Sequence, residues 1–263
     1  MIKNLFLIAL ISSSSVIAAE LAIKATTVQF DYMETFAGTN IDSEKSSFGE
    51  IKGFEVSIRG GGYNSSGVKL INTLDFSHSK GDTQYVGSFL NDPNGKYGDL
   101  KSISSNKLTE LSYMLGVSFP VSCDFSIGGQ LGTGARSWER NLNDGNIETY
   151  FWGIFSAGSR MDWKLFPGVE FSTTADYQKA YKPTMESTLI ASSFDLGKTD
   201  GYKIGLHWVG NITQRLAFEM DYVYDYWKIT KSNSIVDGFG NVYFEPDSKT
   251  KNSYVKAGLA YEF

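Results

Sequence analysis

Apolar and polar residues alternate through most of the chain. Ten segments follow the two-residue period that is typical of β-strands whose two faces meet different surroundings. In the ninth segment, Leu216, Phe218 and Met220 share one face and Glu219 and Asp221 share the other. The ten segments lie at about residues 23–36, 49–62, 68–79, 108–119, 125–136, 147–165, 169–178, 200–209, 216–226 and 255–263.

The length of these segments indicates the fold class. Many approach 10 to 15 residues, whereas strands in globular sheets are most often about 5 to 6 residues long. A soluble β-sandwich also alternates, but its strands would be shorter and its apolar faces would point inward. We therefore predict an all-β fold, a transmembrane antiparallel up-and-down β-barrel with apolar faces toward lipid. Ten strands are expected, and eight or twelve are the alternatives.

The connections between the segments fall into two length classes. Those after the even-numbered segments are only a few residues long. Those after the odd-numbered segments are mostly longer, at about residues 37–48, 80–107, 141–146, 183–198 and 231–251. Outer-membrane barrels have short periplasmic turns and longer extracellular loops. The pattern predicts both termini in the periplasm and five loops facing outward.

The first residues have the organisation of a signal peptide. Lys3 is followed by an apolar run from Leu5 to Ile11 and by small residues that end at Ala18 and Ala19. The apolar run is far shorter than the roughly 20 residues that a membrane-spanning helix needs. We predict a signal peptide at residues 1–19, cleaved after Ala18 or Ala19, and a barrel domain at residues 20–263.

Composition narrows the function classes. Aromatic residues make up 14% of the chain, with 27 glycines and 5 prolines, which suits long strands with aromatic girdles. The net charge of −5 argues against nucleic acid as a partner. The single Cys123 has no partner for an internal disulfide, and the two histidines, far apart in sequence, give no metal-ligand spacing. No metal and no cofactor are expected.

Charged residues on the predicted inner faces are the most distinctive chemical feature. They are Glu55, Arg59, Asp75, Glu110, Arg136, Arg160, Asp162, Glu170, Asp176, Lys203, Glu219, Asp221 and Asp225. An unpaired buried ion costs several kcal/mol, so these residues are expected to pair in an ionic network. One interpretation is a paired plug with water between the ions, and the other is a narrow conduit. A ten-stranded barrel is close to the size that side chains fill, which favours the plug.

The chain ends on Leu259, Tyr261 and Phe263, which alternate with Ala260 and Glu262. This aromatic ending resembles the C-terminal signature by which outer-membrane barrels are recognised for insertion. The resemblance implies the barrel-assembly machinery as a partner through the last strand. Outer-membrane lipids and lipopolysaccharide are the other expected partners, and the sequence does not identify an extracellular ligand.

The second half of the chain, over most of residues 108–263, resembles the omptin family of ten-stranded outer-membrane proteases. The resemblance is carried by the segment lengths, the short turns, the Leu216 to Glu219 motif and the Ala257 to Phe263 ending. It implies an Asp pair near the start of the loop after strand three and an Asp-His couple after strand seven. Here residues 78–83 offer one carboxylate, Asp82, and residues 179–186 contain no histidine. We therefore assign no catalytic residues.

The sequence favours a non-enzymatic outer-membrane barrel whose exposed loops have a structural or interaction role. One alternative is an omptin-like protease or lipid-modifying hydrolase, for which His78, Asp82 and Glu186 are the available groups. The other is a narrow, porin-like channel. His78 shares the face of Phe76 and is expected at the outer rim, whereas His207 is expected to form a hydrogen bond in the lumen.

Overall fold

A computed structural model describes residues 18–64, 67–88, 96–142, 145–190, 192–236 and 238–263. These residues form fourteen β-strands: β1 (Ala18–Phe36), β2 (Thr39–Lys45), β3 (Ile51–Tyr63), β4 (Lys69–Gly87), β5 (Leu100–Pro120), β6 (Phe125–Asn141), β7 (Ile147–Phe166), β8 (Val169–Ser187), β9 (Ser192–Asp195), β10 (Thr199–Asn211), β11 (Leu216–Ile229), β12 (Ile235–Val236), β13 (Val242–Tyr243) and β14 (Asp247–Glu262). The described residues contain no helix that is long and apolar enough to cross a membrane.

Ten of the described strands close into a barrel. Their order around the wall is β1, β3, β4, β5, β6, β7, β8, β10, β11 and β14, and each pairs antiparallel with the next. The ring closes where β14 pairs with β1, from Glu20 opposite Glu262 to Thr35 opposite Asp247. The predicted all-β, up-and-down antiparallel barrel of ten strands is confirmed.

The two ends of the barrel differ in their connections. Both described chain ends, at Ala18 and Phe263, lie at the end where the linkers 121–124, 167–168 and 212–215 join strands directly. We call this the short-turn end. The opposite end carries β2, β9, β12, β13 and the longer connections, and we call it the loop end.

Much of the predicted loop 37–48 is in fact strand β2, so this prediction was wrong. β2 pairs with the upper part of β1 and with β4, and it extends the wall above the shorter β3. A two-residue turn at Ala37 and Gly38, with φ of 49° and 81°, connects β1 to β2. Positive φ at both positions is the type I′ geometry that matches strand twist. The sequence there lacks the Asn-Gly or Asp-Gly pair that usually signals such a turn.

Three other predicted loops were too long. β4 continues to Gly87 and β5 begins at Leu100, inside the predicted loop 80–107. Likewise β8 extends to Ser187 and is followed by β9, and β14 begins at Asp247. Most residues in these strand ends are polar, whichever face of the wall they lie on. Apolar and polar residues therefore do not alternate in these strand ends, although their backbones still pair with neighbouring strands.

The outer face of the wall carries an apolar band between two levels of aromatic side chains. At the lower level, toward the short-turn end, Trp163 contacts Phe125 and Phe171, with ring centroids 5.1 and 5.7 Å apart. At the upper level, Tyr181 lies 4.9 Å from Phe155. The two levels are the girdles that interfacial aromatics form in membrane barrels.

The separation of the girdles fits a lipid bilayer. Phe171 and Tyr181 lie ten residues apart on β8. At a rise of ~3.3 Å per residue and a strand tilt of about 40°, this corresponds to about 25 Å along the membrane normal, the height of the apolar band in outer-membrane barrels. We take the wall between the girdles as the membrane-spanning part.

Residues 1–17, which hold most of the predicted signal peptide, lie outside the described residues. The signal peptide and its cleavage after Ala18 or Ala19 therefore stay predictions. Ala18 and Ala19 themselves pair with Gly61 and Gly60 at the start of β1.

Placing an arginine in the middle of the apolar band tests the membrane assignment. Leu131 is 67% exposed on the outer face of β6, between the two girdles. We expect Leu131→Arg to lower the free energy of unfolding by about 2 to 4 kcal/mol, measured by denaturant titration in lipid vesicles. Gln84→Arg, on the exposed outer face of β4 above the band, is the control and should be near neutral. Equal effects of the two variants would contradict the assignment.

Candidate functional site in the barrel interior

The interior is divided into two parts, and strand β6 shows the division. Its inward side chains toward the loop end are Arg136, Trp138 and Arg140, which are all at most 3% exposed. Arg136 lies 5.7 Å from the Trp152 ring centroid, and Arg140 lies 4.8 Å from that of Tyr32. Aromatic side chains thus lie between two cations, Arg136 toward the short-turn end and Arg140 toward the loop end.

The short-turn half of the interior contains a cavity of about 1010 Å³, which we call the lumen cavity. Its lining reaches Gly62, Lys69 and Glu262 at the rim of the short-turn end and Ile154 and Tyr254 at the opposite end. The cavity has the volume of a small-molecule site. The ions therefore line a space here, whereas the sequence interpretation favoured ions that fill it.

A buried ion cluster on one side of the lumen cavity centres on Lys24. Its Nζ lies 3.0 Å from Glu55, 2.5 Å from Asp221 and 3.4 Å from Glu219. Nδ1 of His207 lies 2.9 Å from Asp221. Lys24 is 2% exposed, so its charge is compensated almost entirely by these carboxylates.

Further ion pairs cross between neighbouring and distant strands. Both Nη atoms of Arg59 donate to the carboxylate of Glu219. On the other side, Lys203 donates to Glu110 at 2.6 Å, and Arg136 pairs with the buried Asp225. On both sides of the cavity, each of these buried ions contacts an opposite charge, which offsets the free-energy cost of removing it from water.

All thirteen residues of the predicted ionic network lie on the inner face. Most of them line the lumen cavity, while Arg136 lies beside Trp152, and Asp162 accepts from Arg160 at 2.6 Å near the short-turn rim. Two members of the network, Lys24 and Lys256, were not predicted from the sequence, and both bind Glu55.

Lys24 shares one face of β1 with Val28, Phe30 and Tyr32, and the expectation that apolar faces point toward lipid would place this face outside. These three apolar residues are in fact 0 to 1% exposed inside the barrel. Ile23, on the opposite face, is 57% exposed. The inner face of β1 is charged at Lys24 and apolar above it, because it passes from the lumen cavity into a packed region.

That packed region, which we call the aromatic plug, fills the loop-end half of the interior. The plug consists of Phe30, Tyr32, Trp138, Tyr150, Trp152 and Trp227, all at most 1% exposed, with aliphatic neighbours. Trp138 stacks on Tyr150 with centroids 4.5 Å apart, and Trp152 meets Trp227 edge-on at 5.3 Å. The buried cluster draws on seven of the ten wall strands in the described chain.

A group of buried and partly buried carboxylates covers the plug at the loop end. This acidic cap comprises Glu34, Glu44, Glu148 and Glu245 around Arg140. The Arg140 guanidinium donates to Glu44, to Glu148 at 2.8 Å and to Glu34 at 3.2 Å. Glu245 instead accepts from the Tyr150 hydroxyl.

Burial and neighbouring charge act in opposite directions on the carboxylates that lie off the wall strands. Burial alone would raise the pKa of Glu44, but Arg140 and hydrogen bonds from Thr83 and Asn106 hold that pKa below its usual value. Burial, followed by the charge of Glu34, raises the pKa of Glu245 well above its usual value. The cap therefore contains one carboxyl with a lowered pKa and another with a raised pKa.

The residues offered for a hydrolase are not brought together. His78 lies on the outer face of β4, where its Nδ1 is 2.9 Å from the Thr109 hydroxyl and its ring lies 6.2 Å from Phe54. Asp82 and Glu186 are exposed, on strands β4 and β8, which three strands separate in the wall. Within the described residues, no group of three or more His, Cys, Asp or Glu could hold a metal ion.

The residues of the predicted insertion signature lie on or beside the last strand at the short-turn end. Leu259 is 50% exposed and Phe263 is 73% exposed on the outer surface. The rings of Tyr261 and Phe263 are 5.2 Å apart. Their role in insertion stays a prediction.

Comparisons with known proteins find similarity in structure but not in sequence. No family model matches the sequence, and no curated protein matches it. The outer membrane protease OmpT from Escherichia coli is similar in structure, with a TM-score of 0.54 at 10% identity over 96% of this chain and 99% of that chain. An outer membrane channel from Pseudomonas putida F1 gives 0.44 at 7% identity over 94% and 95%. OprG from Pseudomonas aeruginosa gives 0.41 at 12% identity over 95% and 97%.

The chain thus has the fold of outer-membrane β-barrel proteins. The similarity to OmpT confirms the omptin-like strand layout that the sequence resemblance implied. At 10% identity the similarity shows the fold alone, so it assigns no activity to this chain.

Removing the Lys24 charge tests the buried network. We expect Lys24→Met to lower the free energy of unfolding by about 3 to 5 kcal/mol, because Glu55 and Asp221 would lose their shared cation. Lys45→Met is the control, since Lys45 is exposed and lies 3.9 Å from Asp31. That variant should cost less than about 1 kcal/mol by the same denaturant titration. A Lys24→Met barrel as stable as the control would contradict the proposed compensation.

Proposed function

We propose that this protein is a non-enzymatic outer-membrane barrel, closed toward the exterior, whose structured loops make contacts at the cell surface. The fold and the two aromatic girdles support a position in the outer membrane. Both described chain ends lie at the short-turn end, which in such barrels faces the periplasm. The loop end then faces outward.

The aromatic plug is the observation that carries this proposal. An ion that crosses the barrel would have to pass the buried rings of Trp138, Trp152 and Trp227 without water. Desolvating an unpaired ion costs several kcal/mol even after relaxation. The plug therefore favours a closed barrel over the narrow channel, although the lumen cavity would serve as half of a conduit if the plug moved.

The loop end carries exposed apolar side chains that suit contact with another surface. The β12–β13 hairpin pairs Ile235 with Tyr243 and presents Phe239, which is 95% exposed, near its tip. Val236 and Val242 in the same hairpin are 62% and 59% exposed. Exposed apolar groups gathered on one element often mark an interaction site.

The outer wall suits the lipid partners that the sequence predicts. Exposed lysines lie on its outer face near and above the upper girdle: Lys52, Lys80, Lys179, Lys228 and Lys251. Lysine ammonium groups bind phosphate, and lipopolysaccharide carries phosphates at this depth of the outer leaflet. Lipopolysaccharide around the upper wall and the assembly machinery at Leu259, Tyr261 and Phe263 are therefore the proposed partners in the membrane.

Planar-bilayer recording tests the closed state. We expect the refolded wild-type barrel to give no reproducible conductance steps. The double variant Trp152→Ala/Trp227→Ala removes two rings from the plug and should conduct.

Phe155→Ala is the matched control, because Phe155 is 59% exposed on the outer face. It should stay as silent as the wild type. Steady conductance from the wild type would overturn the closed barrel in favour of a channel. A silent double variant that still folds, judged by heat-modifiable migration, would show that the rings of Trp152 and Trp227 are not the barrier.

A further inference from the structure

The β12–β13 hairpin lies on the aromatic plug. Its two short strands pair Ile235 with Tyr243 and Val236 with Val242. Ile235 and Tyr243 pack against the plug cluster, whereas Val236 and Val242 are exposed. A two-stranded hairpin alone is only marginally stable in water. The position of this hairpin therefore depends on contacts at its base.

Glu245 connects the base of the hairpin to the plug. Ser232 precedes β12 and Glu245 follows β13. The Ser232 amide donates to the Glu245 carbonyl at 3.0 Å, and the Glu245 amide donates to the Ser232 hydroxyl at 2.7 Å. The Glu245 side chain is buried, and its carboxyl accepts from the Tyr150 hydroxyl in the plug. One residue thus contacts both the hairpin base and the plug.

The acidic cap has more carboxyl groups than its cation and hydroxyl donors can satisfy. The Arg140 guanidinium pairs with three of the four cap carboxylates, and Glu245 forms no ion pair in the described chain. The Tyr32 hydroxyl, 3.4 Å from the Glu245 carboxyl, also donates to Glu34. The Tyr150 hydroxyl lies 3.3 Å from a second carboxylate. A proton on Glu245 removes one negative charge and supplies one more donor.

A proton rather than a metal ion suits this excess of carboxyl groups. The described residues contain no group of acids that could hold a metal ion. Burial, followed by the charge of Glu34, raises the pKa of Glu245 well above its usual value. The neutral acid is therefore the form that fits beneath the hairpin.

The charged and titratable groups in and around the cap come from five strands. They are Tyr32 and Glu34 on β1, Asp42 and Glu44 on β2, Tyr85 on β4, Arg140 on β6, and Glu148 and Tyr150 on β7. Burial raises the pKa of Asp42 to about 6. Because Arg140 is the one cation in this set, an ionised Glu245 would add negative charge to a group that already exceeds its counter-charge.

We propose that Glu245 is a pH-operated latch: as a neutral acid it holds the β12–β13 hairpin on the plug, and its ionisation releases the hairpin. A carboxyl whose pKa is raised in the docked state stabilises that state fully below its unperturbed pKa, and the stabilisation is lost as the pH rises through the raised value. The hairpin is therefore docked in acid and released in alkali. The latch is independent of what the hairpin contacts and of whether the barrel conducts.

Distances between spin labels on the hairpin and on the wall test the latch. In the full barrel with Cys123→Ser, labels at Val242→Cys and Gln84→Cys report the position of the hairpin, because both residues are exposed. A released hairpin gives a second, broader distance population. From about pH 5 to about pH 9, we expect the released fraction to rise about fivefold or more.

Glu245→Gln keeps the size of the side chain and an acceptor for Tyr150 but cannot ionise, so its hairpin should stay docked at both pH values. Glu34→Gln removes the neighbouring charge and should lower the released fraction in alkali at least twofold. Glu186→Gln is the matched control, because Glu186 is exposed on β8 outside the cap. It should follow the wild type.

A wild-type hairpin that stays docked at both pH values would overturn the latch. So would a Glu245→Gln hairpin that follows the wild type or is released at both pH values. Equal loss of the transition in Glu186→Gln would mean general repulsion at the surface instead. Heat-modifiable migration at both pH values reports the wall, and unfolding of the whole barrel in alkali would also count against a local release.

Discussion

The interior of this barrel is governed by one constraint: inward-facing ions are compensated by opposite charges or hydrogen bonds inside the barrel, because the outer face of the same wall meets lipid. Successive side chains of a strand point to opposite faces, so a side chain on a membrane-spanning strand points either to lipid or to the interior. Lys24 illustrates the result, since three carboxylates from β3 and β11 lie within 3.4 Å of its Nζ. The ion pairs connect strands that are distant in sequence and fix their register.

The same constraint explains why the interior changes character along its axis. Near the short-turn end the ions pair along the wall and leave a cavity at the centre. Nearer the loop end, rings from opposite sides meet, and Trp138 contacts Phe30, Tyr32 and Tyr150 within 5.4 Å. Arg136 and Arg140 lie at the two borders of the plug, where their guanidinium groups contact both rings and carboxylates. In the proposed closed state, aromatic packing rather than the ionic network forms the barrier.

A small residue on the inner face also determines how closely side chains that line the lumen cavity approach one another. A Cβ at Gly132, on the inner face of β6, would lie 2.0 Å from the sulfur of Met114 and 2.6 Å from the hydroxyl of Ser156. Met114 and Ser156 line the lumen cavity, so this glycine sets how closely they approach. Any larger residue at position 132 would push a neighbouring strand away from β6 or displace Met114 into the cavity.

The sequence predicts the membrane-spanning wall well and the rest less well, for physical reasons. Where one face meets lipid and the other meets ions, as in β11, alternation identifies both faces. In β1 the inner face is itself apolar from Val28 to Tyr32, so apolar character no longer indicates lipid. β2 escaped detection because both of its faces are polar. The plug has one sign in the sequence. Trp138, Trp152 and Trp227 each lie two residues from an inward-facing residue, and a separation of two residues places both side chains on the same face. The inward-facing residues are Arg136, Ile154 and Asp225.

Cysteine labelling along the interior tests the division into a wet cavity and a dry plug most directly. In a Cys123→Ser background, Ser156→Cys and Thr174→Cys place thiols in the lumen cavity, and Met185→Cys and Ile229→Cys place them in the packed cluster around the plug. We predict that a cationic methanethiosulfonate reagent labels the first pair rapidly and leaves the second pair unmodified in the folded barrel. Equal labelling of the two pairs would contradict it.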